Sequence, residues 1–174
     1  MKKILIVCIG NIGNETEAIR QTLEYFGALV LVKYVGRPQD FIDVLQGQLP
    51  FDADSILISC HGEAGRIIMP ELGEEVYTSS EPRGSFGATE LEKYCCLKDK
   101  LIVNTGCTTG EEALAEVFSH ANTYIAPGDY VEGNSALMFV QRFYYEMLQN
   151  EKSVEEAFEI AKAMDAETGL FRMK

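Results

Sequence analysis

Short apolar runs rich in Ile, Val and Leu alternate along the chain with stretches whose apolar residues recur every three to four positions. That alternation constrains the fold more than any other feature. A continuously apolar strand is buried on both faces, and parallel neighbours need a crossover between them, usually a helix. The pattern predicts an α/β fold, a three-layer sandwich with helices on both faces of a central, mainly parallel sheet. Lys3–Ile9, 28–34, Ser55–Ser59, Leu101–Asn104 and 123–126 read as about five strands. Segments 15–26, a short stretch opened by Pro38, 111–120, 135–149 and a last stretch from Ser153 read as helices. Gly27 ends the first, and Ser153 with Glu156 three residues on forms a capping box for the last.

The rhythm breaks between 62 and 100. Arg66-Ile67-Ile68-Met69 reads as one arm of a small hairpin, 77–88 is rich in Ser, Gly and Pro and reads as a mobile loop, and 89–94 as a helical turn or two. There is no repeat, low-complexity tract or linker, and 174 residues suit a single domain spanning 1–174. Fifteen basic residues against 27 acidic ones give a formal charge of −12. Such a surface repels phosphate backbones and anionic lipid, so neither nucleic acid nor a membrane is expected as partner. No apolar run approaches the ~20 residues of a membrane span. The N-terminal basic and apolar residues lead straight into Gly10-Asn11-Ile12-Gly13-Asn14, and read as a first buried strand rather than a signal peptide. Cysteines 8, 60, 95, 96 and 107 are odd in number and lack CxxC spacing, which implies reduced thiols and a cytoplasmic location.

In open α/β sheets, sites form beyond the carboxyl ends of the strands. The first such loop, Val7-Cys8-Ile9-Gly10-Asn11-Ile12-Gly13-Asn14, is similar to the phosphate loop of low-molecular-weight tyrosine phosphatases, V-C-x-G-N-I-C-R-S. That chemistry needs an Arg six positions after the Cys to hold phosphate. Asn14 stands there, and the first Arg is Arg20. A buried strand cysteine before a glycine turn is the simpler reading of Cys8.

Two other strands deliver a more specific pair. Ile56-Leu57-Ile58-Ser59-Cys60-His61-Gly62 ends in one of only two histidines, and Leu101-Ile102-Val103-Asn104-Thr105-Gly106-Cys107 ends in a cysteine. A cysteine nucleophile needs a base within hydrogen-bond reach and a cradle for the oxyanion. His61 can be that base, and the backbone amides of Gly62 and Cys107 can form the cradle. The ordinary alternative is a satisfied histidine at a strand end and a buried, inert cysteine. A helix beginning near Glu111 would lower the thiol pKa through its dipole, while Glu111 and Glu112 oppose that effect. His120 suits the dipole at the end of its helix, and two histidines make a His-rich metal centre implausible.

The pair resembles that of the caspase-like cysteine peptidases, and most closely the CHAT domains. Caspases place the His about 50 residues before the Cys, and here the separation from His61 to Cys107 is 46. The CHAT pattern runs from an apolar strand into C-H-G, a hairpin, a short helix, and a second apolar strand into S-x-C-x-T-G, then an alanine-rich helix, a strand and a helix containing F-Y. This chain has Cys60-His61-Gly62, a hairpin at 65–72, Ala88-Thr89-Glu90-Leu91-Glu92, Asn104-Thr105-Gly106-Cys107-Thr108-Thr109-Gly110, Ala113-Leu114-Ala115 and Arg142-Phe143-Tyr144-Tyr145. The similarity covers about residues 54–165. It departs at Asn104, where the pattern usually has Ser, and at Thr105-Gly106-Cys107, where caspases have Q-A-C.

The resemblance implies a caspase-like sandwich and a cysteine endopeptidase acting on a protein or peptide substrate without metal or organic cofactor. His61 and Cys107 would be its catalytic dyad, and the Gly62 and Cys107 amides its oxyanion hole. In relatives that cut after Arg or Lys an acidic residue lines the substrate pocket; Asp129 is the candidate here, with Glu132 next. The N-terminal strand loop has no Arg to recognise an acidic side chain. Two other readings remain open: a catalytically silent module of the same fold that binds a partner through 77–88 and its acidic surface, and a flavodoxin-like regulatory domain binding a small anion at 10–13.

Overall fold

The computed structural model describes residues 1–174 and orders six strands in one sheet as β2-β1-β3-β6-β7-β8, with a separate hairpin of β4 and β5. The strands are β1 (Lys3–Ile9), β2 (Leu29–Val35), β3 (Ser55–Ser59), β4 (Gly62–Glu63), β5 (Arg66–Ile67), β6 (Leu101–Asn104), β7 (Thr123–Pro127) and β8 (Phe171–Met173). The helices are α1 (Glu15–Tyr25), α2 (Pro38–Leu45), α3 (Ala88–Tyr94), α4 (Glu112–Ser119), α5 (Gly133–Leu148) and α6 (Val154–Lys162). Every pairing in the large sheet is parallel except β7 with β8.

The period-two pleat sorts the strand residues between two cores. Leu5, Val7, Ile56, Ile58, Ile102 and Tyr124 face α2, α3 and α4. Ile4, Ile6, Leu57, Val103 and Ile125 face α1, α5 and α6. Burial on both sides is why β1 and β3 read as unbroken apolar runs. The result is a three-layer α/β sandwich. No helix is long and apolar enough to cross a membrane.

The sheet has one more strand than the five expected. Phe171 is fully buried and stacks on Phe139 of α5, ring centroids 3.7 Å apart, which draws the segment after α6 onto the free edge of β7. The 77–88 segment is also not the mobile loop its composition suggested. Arg37, just before α2, holds the Glu81 carboxylate through Nε at 2.7 Å and Nη2 at 2.5 Å. That carboxylate is fully buried and also accepts the backbone N–H groups of Gln39 and Thr78. Arg83 stacks over the Tyr77 ring and pairs with Glu74. Phe86 pairs with Ile67 of β5 and buries its ring against Phe41. The excursion is anchored to its surroundings at Glu81 and Phe86 and braced within itself by Arg83.

The chain moves from β1 outward to β2, then crosses back to place β3 on the other side of β1. Such a reversal opens a crevice at the carboxyl ends of β1 and β3, the usual ligand position in doubly wound sheets. The loops after β1, β3, β6 and β7 meet there.

Candidate active site

β3 ends because Gly62 turns the chain into the β4–β5 hairpin, and the turn is seated directly on the segment after β6. A Cβ on Gly62 would lie 2.1 Å from the Cys107 carbonyl oxygen and 2.7 Å from Thr109 Cγ2. Only a residue without a side chain permits that approach. Thr108, buried and at φ +58°, fixes the cysteine turn from two sides. Its Oγ1 accepts the Gly65 N–H at 3.0 Å, and its own N–H donates to the Asp129 carbonyl at 3.1 Å. The His61 and Cys107 segments therefore touch through their backbones.

The two candidate oxyanion donors are available. The Cys107 N–H has no acceptor in the protein. Gly62 sits opposite Ile67 in the hairpin, but Ile67 directs both its N–H and its C=O to Phe86, and Ile68 bonds the His61 carbonyl. Gly62 is thus in a wide, unbonded pair and its N–H points away from β5.

His61 is exposed, and its Nε2 lies 2.9 Å from the Asn11 carbonyl oxygen in the loop after β1. A carbonyl only accepts, so this nitrogen donates its N–H, and Nδ1 has no hydrogen-bond partner in the protein. Cys107 is half-buried, and its Sγ donates to the Val131 carbonyl at 3.4 Å. Thiol and imidazole each have a backbone partner and do not hydrogen-bond one another in this conformation. The sulfur is turned toward the loop after β7 and the ring toward the loop after β1.

Glu15, at the first turn of α1, is the site residue that the sequence did not single out. Its Oε1 accepts the Ser59 hydroxyl at 2.5 Å and the Thr105 hydroxyl at 2.8 Å. Ser59 stands two residues before His61 and Thr105 two before Cys107, so one carboxylate joins the tips of β3 and β6 at equivalent positions. That matched hydroxyl spacing was the signal that could have found it.

On the opposite face, Asn104 performs a similar joining role. Its Oδ1 accepts the Gly106 N–H at 2.8 Å and the Cys60 thiol at 3.3 Å, while its Nδ2 donates to the Tyr124 hydroxyl at 3.2 Å. Burial pushes the Cys60 thiol far up, and the Glu15 carboxylate adds to the effect. Cys60 is buried beside His61 and held as a donor to Asn104.

Asp129 lies beside the cysteine turn through its carbonyl, while its exposed carboxylate accepts the next N–H, that of Tyr130, at 2.8 Å. Glu132 lines an open groove of about 430 Å³ with Ile12, Asn14, Glu15, Asn134 and Leu137. In the 10–13 loop, Gly10 and Gly13 are exposed, and the nearest arginine in sequence, Arg20, pairs with Glu17 and Glu24 along α1. The largest cavity, about 510 Å³, lies at the opposite edge of the sheet, against Ile4, Ser55, Leu101 and Tyr144, and touches none of the candidate residues.

No family model and no curated protein matches this chain. Function therefore rests on the chemistry of the strand tips. No group of three or more His, Cys, Asp or Glu side chains is arranged to hold a metal ion. What the tips present is a thiol, an imidazole whose Nδ1 has no partner, two unengaged amides and a nearby groove that holds two glutamates.

Proposed function

We propose that the protein is a cysteine endopeptidase of the caspase-like type, with Cys107 as nucleophile and His61 as general acid and base. The observation that carries this reading is the seating of Gly62 on Cys107, which sets two unengaged amides beside the thiol and imidazole segments. The sulfur leaves the Val131 carbonyl by side-chain rotation and passes its proton to Nδ1 of His61. The thiolate attacks the substrate carbonyl carbon, and the Gly62 and Cys107 amides bind the resulting oxyanion. As the tetrahedral intermediate collapses, the imidazolium gives that proton to the departing amine, leaving a thioester. Water, deprotonated by His61, then attacks the thioester and releases the acid and the thiol. Asn11 holds the ring in the required tautomer throughout.

Glu132 in the groove, or Asp129 beside the cysteine turn, would hold a basic residue before the cleaved bond through charge-assisted hydrogen bonds. Five unpaired thiols support a reducing compartment such as the cytoplasm. A second reading, a silent interaction module of the same fold, draws on the thiol's bond to Val131 rather than to His61.

Alkylation separates the two. With iodoacetamide at neutral pH, a peptidase labels Cys107 far faster than the other four thiols, and His61→Ala removes the difference. Turnover of a fluorogenic peptide library varied at the residue before the scissile bond, present in wild type and absent in Cys107→Ala, then identifies the substrate class. Uniformly slow labelling with no turnover would reject the peptidase in favour of the interaction module.

A further inference from the structure

Apart from a single lysine, the edge formed by β2 has few of the features that usually protect an exposed strand. It is seven residues long, Leu-Val-Leu-Val-Lys-Tyr-Val, with no proline and no bulge, and nothing pairs with its outer side. Because the Leu29 N–H donates inward to Lys2, the alternate residues Val30, Val32 and Tyr34 turn their N–H and C=O groups outward. Leu29 is 41%, Leu31 38% and Tyr34 64% exposed, while Val30 and Val32 pack partly against the α1 side of the core and Val35 is buried. The strand's one charge, Lys33, is neutralised by Asp40 of α2 at 2.6 Å. On a chain of net charge −12, this strip is a neutral place for two like-charged copies to approach.

We propose that β2 is the interface of a homodimer, in which two copies pair antiparallel across a twofold axis at Val32 and join their sheets edge to edge. Self-complementarity selects a second copy as the occupant. With the axis at Val32, the outward groups of Val32 pair with those of Val32, and those of Val30 with those of Tyr34, so no outward N–H or C=O between them is left over. Leu31 then faces Lys33 of the other copy, whose aliphatic stem can cover it. Moving the axis to residue 33 would oppose two lysines, and moving it to residue 31 would leave Tyr34 unpaired. The side-chain layers also interlock. α2 lies over the Lys33 end of β2 and leaves Leu29 and Leu31 bare. Antiparallel pairing sets the bare half of each strand beside the covered half of the other. Tyr34 meets Val30 across the junction, a favourable aromatic and β-branched pair.

Sedimentation of the purified chain over a wide concentration range reads the proposal directly. A reversible species of twice 19.4 kDa is expected. The Val32 N–H faces solvent in the single chain, so proline is tolerated there in a monomer. Val32→Pro should keep the wild-type circular dichroism, with a lower unfolding midpoint because Val32 packs partly against the core, while weakening dimerisation on the order of a hundredfold. Leu31→Lys, which replaces the apolar contact on the Lys33 stem with a charge, should dissociate the dimer, whereas Leu31→Met, which keeps an apolar side chain there, should preserve it. A monomer at every concentration would overturn the proposal and leave the edge to an extended segment of another protein. A dimer that survives both Val32→Pro and Leu31→Lys would overturn it as well, because the contact would then lie elsewhere.

Discussion

At the scale of single residues, the site depends on close backbone approach and on buried polar groups with fixed partners. Gly62→Ala forces a methyl group into the Cys107 carbonyl. It should cost about 2 kcal/mol of stability in urea unfolding, and the displaced turn should slow Cys107 alkylation as well. Asn104 makes bonds that a serine in its place could not. A serine hydroxyl cannot reach both the Gly106 N–H and the Tyr124 hydroxyl, which the longer amide spans. Asn104→Ser should therefore destabilise by about 2 kcal/mol through a buried group left unpaired, measured as a lower urea midpoint. His61 and Cys107 stand out in the sequence as candidates because each ends an apolar strand beside glycine. Glu15 does not, because a glutamate in a first helical turn already has a sufficient local explanation in the helix dipole. Its contacts with Ser59 and Thr105 are 44 and 90 residues away in sequence.

At the scale of elements, the long buried strands and the amphipathic helices followed from their periodicity. The two differences have clear physical causes. Phe171–Met173 is too short, with Arg172 at its centre, to show a strand pattern, and it becomes a strand because Phe171 has an aromatic slot to fill. Phe171→Ala should cost about 4 kcal/mol in thermal or urea unfolding. The excursion before α3 looked free because its anchor is a pair 44 residues apart, Arg37 and Glu81. Arg37 holds the Glu81 carboxyl down at about 2, with the Thr78 and Gln39 N–H groups assisting. An unfolded glutamate titrates near 4.3. A carboxyl with a lowered folded pKa stabilises the fold fully above its unfolded value and loses that contribution as pH falls through its folded value. Glu81→Gln should therefore destabilise by about 2 kcal/mol at neutral pH, and the gap to wild type should close as pH falls from about 5 toward 2. Unfolding midpoints of the two proteins across that range measure it.

At the scale of the whole molecule, the five parallel strands take an order shared by flavodoxin-like folds, so strand order alone separates a peptidase from a ligand-binding regulator no better than the sequence did. The crevice contents separate them better. Its glycine loop is followed by Glu15 and Glu17, and Arg20 is already paired. Flavin mononucleotide or a nucleoside triphosphate should leave the melting temperature unchanged, and a clear upward shift would revive the regulator reading. The fold class could be read from the chain because local patterns suffice for layers and helices. The assembled site could not, because contacts between loops from distant strands leave no periodic trace. The carboxylate of Glu15 has one more consequence. A single latch from α1 fastens both strand tips, so whatever lifts the first turn of that helix would release sulfur and imidazole together, and either half of the pair would lose its footing with the other.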